Sequence, residues 1–347
     1  MRHRPTLLAL ALFATSPLPP LRAEVTRTLK LAYAETSRPF AVDNLAGTMR
    51  VLAGSGPAVE VVVTVHAESS ELADKVRFEK VSDRDGTPTL RVLYPLDETT
   101  HFRYPGLRGG GSSCKYEGRS VRISDHAGVL LYADVEVRLP PAELSARFRN
   151  AVGALLGQEV RGALRFDTDS GDISLGRIQG DIVADAGSGD VKAEDLGGSF
   201  RCDTGSGDCE VTGFAGDKLS LDTGSGDVRV HGLKARRLEA DTGSGSIQVS
   251  EAELEELKAD SGSGAVELDD RGSKLTAVKV DTGSGDVRLR LAPDASFDIG
   301  SGDIVNRFQD AEPIVHRREI VGYRRGDGKI RIDVDSGSGD LVLEPRP

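Results

Sequence analysis

The sequence is poor in the large aromatic side chains that fill a thick protein core. It contains no tryptophan, and aromatic residues make up 5% of its 347 residues, whereas glycine occurs 41 times. Ring side chains supply much of the buried area of a conventional core, so a single large core is not expected. This composition favours a thin core that repeats along the chain.

Cysteine is also scarce, with Cys114, Cys202 and Cys209 as its only occurrences. Three cysteines are too few for a disulfide framework, and an odd number leaves at least one of them, with Cys114 as the candidate, without a partner in the chain. Cys202 and Cys209 occupy positions that are apolar in neighbouring repeats, which favours small core residues. A disulfide across one turn is the alternative, because export permits disulfides.

The sequence lacks an apolar run of the roughly 20 residues that a membrane-spanning helix needs. A short apolar run at residues 7–13 follows the basic residues Arg2 and Arg4 and precedes Pro17. This order is typical of a secretory signal and predicts a signal peptide at residues 1–23. We therefore expect an exported protein, periplasmic, extracellular or at the cell surface, with no transmembrane segment after the signal is removed.

Basic residues are outnumbered by acidic ones. The 44 Lys and Arg residues stand against 55 Asp and Glu residues, which gives a net charge of −11. Nucleic acids and bare anionic membranes attract an excess of positive charge. The balance argues against either of them as the main partner.

What the sequence has in abundance is a six-residue turn unit, clearest as Asp-Thr-Gly-Ser-Gly-Asp at residues 222–227. Its copies begin at Asp167, Asp185, Asp203, Asp222, Asp241, Asp260, Asp281, Asp298 and Asp335. The intervals between them are 18, 18, 19, 19, 19, 21, 17 and 37 residues, and the last is close to two periods. The long interval indicates a coil that has lost its turn unit or has been replaced by an insertion. Such periodicity predicts stacked coils.

The positions of the unit have physical interpretations. The first-position aspartate is expected to accept hydrogen bonds from backbone N–H groups one or two residues further on. The fifth position is always glycine, which suggests a backbone angle that only glycine adopts at low cost. These glycines are Gly171, Gly189, Gly207, Gly226, Gly245, Gly264, Gly285, Gly302 and Gly339. An apolar residue follows every unit, so each turn leads into a strand.

Apolar and polar residues alternate on both sides of the turn, as at Leu219, Leu221, Val228 and Val230. Period two predicts strands with one buried face. A coil of about 19 residues buries too little apolar surface to be stable alone, whereas stacked coils share a continuous core. The predicted fold class is therefore all-β, a single-stack β-solenoid similar to a parallel β-helix, with coils of about 18–19 residues over residues 141–347.

Residues 24–140 lack the turn unit but still alternate as strands, and we expect an irregular β region that caps the solenoid's open edge. Within it, residues 97–120 are predicted to form a long loop. This loop carries the densest aromatic patch of the chain, at His101, Phe102, Tyr104 and Tyr116. A flexible insertion is the favoured interpretation, and a recognition loop is the alternative.

Residues 307–331 form a basic insertion between the last two turn units, with seven Lys or Arg residues. Asp327-Gly328 is a typical hairpin turn, so we predict a solvated hairpin that caps the C-terminal end. A docking patch for acidic partners is the alternative.

The sequence shows no recognisable catalytic site. The repeated serines cannot all be nucleophiles, and His231 is the only histidine between positions 127 and 315, so a Ser/His/Asp triad is disfavoured. Paired carboxylates for sugar cleavage are harder to dismiss because aspartate recurs. Calcium could relieve repulsion in a stacked aspartate column, but the sixth-position aspartate becomes Ser246 and Ala265 in adjacent copies. We expect no cofactor, with structural calcium as the alternative.

Two further stretches complete a resemblance to a known family. Residues 44–51 look like a degenerate turn-strand unit, and residues 134–140, Asp-Val-Glu-Val-Arg-Leu-Pro, precede the repeated Thr-Gly-Ser-Gly-Asp units. With these features the chain resembles the bacterial putative-adhesin β-solenoid family, domains of unknown function, over most of residues 40–345. The resemblance implies surface adhesion and supplies no catalytic residues.

The resulting hypothesis is a non-enzymatic exported envelope protein, an adhesin-like or scaffolding β-solenoid with an envelope or surface partner that is a protein or a glycan. The alternatives are a polysaccharide-processing β-helix enzyme and a calcium-stabilised structural rod.

Overall fold

A computed structural model describes residues 24–107, 110–300 and 304–346. The signal peptide expected at residues 1–23 and the repeat glycine Gly302 lie outside the described residues. Within them the protein is all-β apart from one short helix, and most strand pairs are parallel. No helix in these ranges is long and apolar enough to cross a membrane.

The N-terminal region contains one helix, α1 (Ser70–Lys75), and ten strands. The strands are β1 (Val25–Tyr33), β2 (Phe40–Ala46), β3 (Met49–Ala53), β4 (Val59–Ala67), β5 (Arg77–Ser82), β6 (Pro88–Leu93), β7 (His101–Arg103), β8 (Gly111–Tyr116), β9 (Arg119–Ser124) and β10 (Val129–Leu139).

The repeat region follows with the remaining strands. They are β11 (Leu144–Val152), β12 (Leu155–Gln158), β13 (Arg161–Thr168), β14 (Ile173–Gly176), β15 (Gln179–Ala186), β16 (Val191–Glu194), β17 (Gly197–Thr204), β18 (Cys209–Thr212), β19 (Ala215–Thr223), β20 (Val228–Thr242), β21 (Ile247–Ser261), β22 (Val266–Asp270), β23 (Ala277–Thr282), β24 (Val287–Leu291), β25 (Phe297–Ile299), β26 (Ile304–Asn306), β27 (Glu312–His316), β28 (Glu319–Arg325), β29 (Ile330–Ser336) and β30 (Leu341–Pro345).

Each coil of the repeat region contributes one strand to each of two faces. One face stacks β11, β13, β15, β17, β19, the later parts of β20 and β21, and β23. The other stacks β12, β14, β16, β18, the first parts of β20 and β21, β22 and β24. All these pairs are parallel, and equivalent residues of successive turn units lie side by side. The predicted β-solenoid is confirmed.

The core is a thin apolar layer between the two faces. Leu164, Ile182 and Phe200 are successive members of one buried column, and Ile173 and Val191 belong to a column on the opposite face. Side chains alternate between core and solvent along each strand, so each coil adds only a few buried residues. This arrangement explains how a chain with so few aromatic rings builds a core.

The N-terminal region begins the stack. β2 pairs with β11 and β3 with β12, so residues 40–53 form a coil that precedes the repeats. β6 and β5 extend one face, and β10, β4 and β1 extend the other. The edge of the first repeat is therefore paired rather than exposed.

Residues 97–120 are not one long loop, and that prediction is wrong. β8 and β9 form an antiparallel pair, and β7 pairs in parallel with both β9 and β10. The segment thus belongs to a small sheet attached to the N-terminal region.

The last coils do not stack in chain order. β29 pairs with β23 and β30 with β24, so the coil of Asp335 lies directly on the coil of Asp281. β25 and β26, which precede them in the chain, pair on the far side of β29 and β30. The 37-residue interval thus contains an insertion after which the chain returns to fill an inner layer.

The insertion contains the antiparallel hairpin β27–β28, and β28 also pairs with β25. The hairpin turns at Arg317-Arg318 and not at the predicted Asp327-Gly328, which instead lies between β28 and β29. It extends one face beyond the outermost coil.

Candidate functional surface

The turn unit is held by its second residue. Thr223 Oγ1 donates to the carbonyl oxygen of Gly207 at 2.8 Å and accepts the N–H of Gly226 at 3.1 Å. The same two bonds recur at Thr204, Thr242, Ser261 and Thr282. These side chains are buried. In these five turns one hydroxyl therefore satisfies backbone groups inside the turn and joins the turn to the preceding coil.

The first-position aspartates do not cap the turns, and that prediction is wrong. They are the last outward-facing residues of their strands, and among the described residues no backbone N–H donates to their carboxylates. The sixth-position aspartates accept such bonds instead: Asp208 Oδ1 accepts the N–H of Asp227 at 2.9 Å, and Asp227 Oδ1 accepts that of Ser246 at 2.8 Å. The sixth position therefore links a coil to the next one.

Crowding, rather than backbone angle, explains most of the fifth-position glycines. Of those described, only Gly171 has a positive φ, of 146°. A Cβ added at Gly189, Gly207, Gly226, Gly245, Gly264, Gly285 or Gly339 would lie within 3.0 Å of the carbonyl oxygen of the equivalent glycine in the adjacent coil. Only glycine lets the turns stack at the ladder spacing.

The first-position aspartates form a straight column on the outer face. Eight of them lie in register: Asp167, Asp185, Asp203, Asp222, Asp241, Asp260, Asp281 and Asp335. We call them the carboxylate column. Asp298 is outside it, because it pairs with Arg331 instead of Asp335.

Only the first part of the carboxylate column is neutralised. Arg165 contacts Asp167 and Asp185, and Arg201 lies 3.3 Å from Asp203. The other five aspartates form no ion pair within the described residues. Carboxylates about 4.8 Å apart repel by roughly 0.9 kcal/mol in water. Burial and the neighbouring charges of Asp260 and Asp222 accordingly raise the pKa of Asp241.

The N-terminal end of the column is a cluster of paired charges. Arg91 donates to Asp43 at 2.7 Å, and Arg147 donates to Asp83 at 2.7 Å. Burial opposes the ionisation of Asp83, but Arg91 and Arg147 outweigh it and lower the pKa of Asp83. Asp83, Arg91 and Arg147 line an open cleft of about 750 Å³ together with Glu117. These charges neutralise one another across the junction of the cap and the first coils.

Among the described residues, one histidine side chain lies within hydrogen-bond distance of a serine hydroxyl. His231 Nδ1 lies 3.0 Å from Ser250 Oγ on the solvent-exposed surface. No carboxylate contacts this histidine among the described residues. The described residues also contain no group of three or more His, Cys, Asp or Glu side chains arranged to hold a metal ion.

Cys202 and Cys209 form a disulfide. Cys202 stands in the buried column between Ala184 and Leu221, and Cys209 takes the corresponding place on the opposite face. The two residues therefore fill core positions and also join the faces of one coil. Cys114 is free and buried, and burial raises the pKa of its thiol to about 11.

Neither the favoured flexible insertion nor the alternative of an aromatic recognition loop describes residues 97–120, and three of the four aromatic-patch residues are not exposed. Phe102, Tyr104 and Tyr116 are buried, and Tyr116 donates its hydroxyl to the carbonyl oxygen of Val92 at 2.8 Å. The pairing of β7, β8 and β9 turns these rings into the core of the N-terminal region. Only His101 remains exposed.

No curated protein sequence matches the chain. A solved structure described as a putative cell adhesion protein from Clostridium sporogenes ATCC 15579 is 8% identical and covers 93% of this chain and 100% of that chain, with a TM-score of 0.19. A putative lipid binding protein from Parabacteroides distasonis ATCC 8503 is 13% identical and covers 93% of this chain and 97% of that chain, with a TM-score of 0.40.

The family assignment comes from the repeat region. The family model Toastrack DUF4097 matches residues 162–344, which is more than half of the chain. This family has no known function. Its match covers the turn units, the carboxylate column and the returning C-terminal coil. The protein therefore belongs to the Toastrack DUF4097 family.

Proposed function

We propose that the protein is a non-enzymatic, exported scaffold of the cell envelope, an adhesin-like β-solenoid that presents a rigid face and holds its two ends apart. The observation that carries this proposal is the in-register stack. Successive coils repeat the same buried hydroxyl, the same glycine contact and the same backbone ladder, while their variable residues face water. A repeat of this kind supplies length and stiffness.

The carboxylate column supports a scaffold that does not associate with its own kind side by side. Five neighbouring carboxylates without ion pairs in the described residues make this face repel an equivalent face. The two ends, which carry the Asp43 cluster and the basic hairpin, are left for an envelope or surface partner, either protein or glycan.

The disulfide supports export. Bonds such as Cys202–Cys209 persist in oxidising compartments and are rare in the cytosol. A signal peptide at residues 1–23 would deliver the chain to such a compartment.

Protease accessibility of the tagged protein on intact cells tests this proposal. Cleavage on intact cells supports an adhesin-like role at the surface. Protection on intact cells with cleavage after the envelope is opened supports an internal envelope scaffold. Recovery with a cytosolic marker and free Cys202 and Cys209 thiols contradicts the proposal. So does a hydrolytic activity that replacing an aspartate pair abolishes without unfolding the protein.

A further inference from the structure

The large exposed apolar side chains of the described surface are concentrated at one end. They are Val305, Val315, Ile320 and Val321, with exposed fractions of 51, 59, 51 and 39%. All four belong to β26, β27 or β28, at or beyond the outermost coil. A local concentration of exposed apolar residues on an otherwise polar protein indicates a contact surface.

Three of these residues flank a single turn. Val315 pairs with Ile320 across the hairpin, and Val321 lies at the register shift that follows Ile314. Between them Arg317 and Arg318 have φ values of 50° and 78°, as both central residues of a type I′ turn require. Every residue from 315 to 321 is exposed. We call residues 315–321 the hairpin tip.

The hairpin tip belongs to a basic segment of an acidic protein. Residues 307–331 contain seven basic and four acidic residues, a net charge of +3, while the whole chain carries −11. Arg324 and Arg325 are engaged by Asp298 and Asp310. Arg317 and Arg318 form no ion pair with any described residue, so two guanidinium groups and three aliphatic side chains face solvent together.

We propose that the hairpin tip docks the solenoid end-on onto a bilayer that contains anionic phospholipids. Juxtaposed arginines are attracted to anionic headgroups, and aliphatic side chains beside them enter the interfacial region. The net charge of −11 opposes a broadside approach, so the basic end meets the membrane first. The net charge still argues against the membrane as a partner for the rest of the surface.

A second copy of the chain matches the hairpin tip less well. The carboxylate column would pair with the arginines, but it offers no apolar surface to cover Val315 and Ile320. Two hairpin tips packed together would cover their apolar side chains, but each tip would offer only one carboxylate, Glu319, to the two arginines of the other. A lipid surface satisfies the charge and the apolar groups at once.

Vesicle co-sedimentation of the purified mature chain tests the proposal. We expect binding to phosphatidylcholine vesicles that contain about one-third phosphatidylglycerol, weak binding to phosphatidylcholine alone, and a decline with added salt. Arg317→Ser/Arg318→Ser should lower the partition coefficient roughly 30-fold, as two lost surface arginines imply. Val315→Ser/Ile320→Ser should lower it roughly tenfold or more and leave the salt dependence in place.

Arg122→Ser/Arg161→Ser is the matched control. Both arginines are exposed and lie far from the hairpin in sequence, and their replacement removes the same charge as the Arg317→Ser/Arg318→Ser variant. It should bind like the wild type. Thermal melts should be unchanged in all three variants, since the substituted side chains are exposed. The vesicles test purified protein, so a failure here leaves the proposed envelope location intact.

Three results would overturn the proposal. The first is a wild-type chain that does not sediment with the anionic vesicles. The second is equal loss of binding in the control and the hairpin variants, which means general charge attraction. The third is self-association of the protein alone, measured by analytical ultracentrifugation, that the hairpin substitutions abolish while vesicle binding is unaffected. That result assigns the hairpin tip to a second copy.

Discussion

The hydroxyl of Thr223 donates a hydrogen bond to the carbonyl oxygen of Gly207, 2.8 Å away in the neighbouring coil. The same hydroxyl accepts the N–H of Gly226 within its own turn. A single buried side chain therefore closes one turn and fixes its position on the previous one. Because the pattern recurs at Thr204, Thr242, Ser261 and Thr282, a buried row of hydroxyl groups runs along the solenoid.

Thr223→Val should destabilise the protein by ~1–3 kcal/mol, because it keeps the shape but leaves buried backbone groups without their partner. Thr223→Ser should retain most of the stability, since Ser261 makes the same bonds in its own coil. Urea midpoints of both variants provide the measurement, with the exposed Ser225→Ala as control. A Thr223→Val protein as stable as the wild type would contradict a stabilising role for the row of buried hydroxyl groups.

Gly226→Ala should cost more than about 2 kcal/mol, because overpacking against a fixed backbone cannot relax cheaply. Its Cβ would collide with the carbonyl oxygen of Gly207. Gly111→Ala is the control, since its Cβ would meet its nearest neighbour, the carbonyl oxygen of Ile123, at 3.5 Å. Thermal melts compare the two. Equal effects would show that crowding is not why the fifth position needs glycine.

Replacing both Cys202 and Cys209 with alanine should lower the free energy of unfolding by roughly 2–3 kcal/mol, the value expected for closing so short a loop. The variant should also lose the sensitivity of its denaturant midpoint to reducing agent. Cys114→Ala should keep that sensitivity, because its buried thiol has no part in the bond. A wild-type midpoint that reducing agent does not move would contradict the stabilising role.

Asp241 and Asp208 should respond to neutralisation with opposite signs. The pKa of Asp241 is raised by burial and by Asp260 and Asp222, so its charge costs stability once the pH rises through the folded-state pKa. Asp241→Asn should therefore stabilise the protein at pH 7, by about 1 kcal/mol or less, and have no effect in acid.

Burial opposes the charge of Asp208 too, but the N–H of Asp227 and the Arg229 side chain outweigh it and lower the pKa of Asp208. The stability from this charge is present above the unfolded-state pKa and lost in acid. Asp208→Asn should destabilise the protein at pH 7. The urea midpoints of Asp241→Asn and Asp208→Asn at pH 7 and pH 3.5 provide the measurement. If both substitutions shifted the pH 7 midpoint in the same direction, the opposite roles of the two carboxylates would be contradicted.

His66 should make the N-terminal region sensitive to pH. Its Nε2 lies 3.3 Å from Asp134, and its Nδ1 contacts Glu24. Asp134 raises the pKa of His66, with Glu24, against the opposing effect of burial. The stabilisation is complete below the unfolded-state pKa of about 6.5 and is lost as the pH rises through the folded value.

His66→Gln should flatten the dependence of the melting temperature on pH above 6, because glutamine keeps a polar side chain at this position but cannot take up a proton. An NMR titration of His66 checks the direction of the shift. A His66 pKa below 6.5 in the folded protein would contradict the assigned contacts.

The 18–19-residue spacing of the turn unit predicted the stack, and the alternation of apolar residues predicted which side chains are buried. The alternation also contained a signal that the interpretation of the turns missed. If Leu219 and Leu221 face inward, Thr223 must face inward and Asp222 outward. The threonine, not the aspartate, was therefore the residue placed to satisfy the turn. The glycine requirement depended on the next coil, whose distance no single copy of the unit reveals.

Other features lay beyond the reach of local pattern. Phe102 and Tyr116 look like an exposed patch until β7 and β9 are paired. The corner opposite the turn unit also has left-handed residues, at Glu159, Arg177, Asp195, Gly213, Gly232 and Glu251. Because these positions hold Glu, Arg, Asp or Gly, no shared residue type marks this corner in the sequence. The insertion at residues 307–331 was predicted to be basic, but the exposed aliphatic side chains of the hairpin tip could not be told from core residues without the fold.

The returning C-terminal strands give the stack a defined length. Within the described residues, β26 pairs only with β30, and β25 pairs only with β29 and β28. β29 and β30 thus support the outermost coil, and their removal would leave β25 and β26 without their parallel partners. Duplication of a repeat can lengthen the rod from within, but a coil appended after Pro345 would find both of its neighbouring edges already occupied.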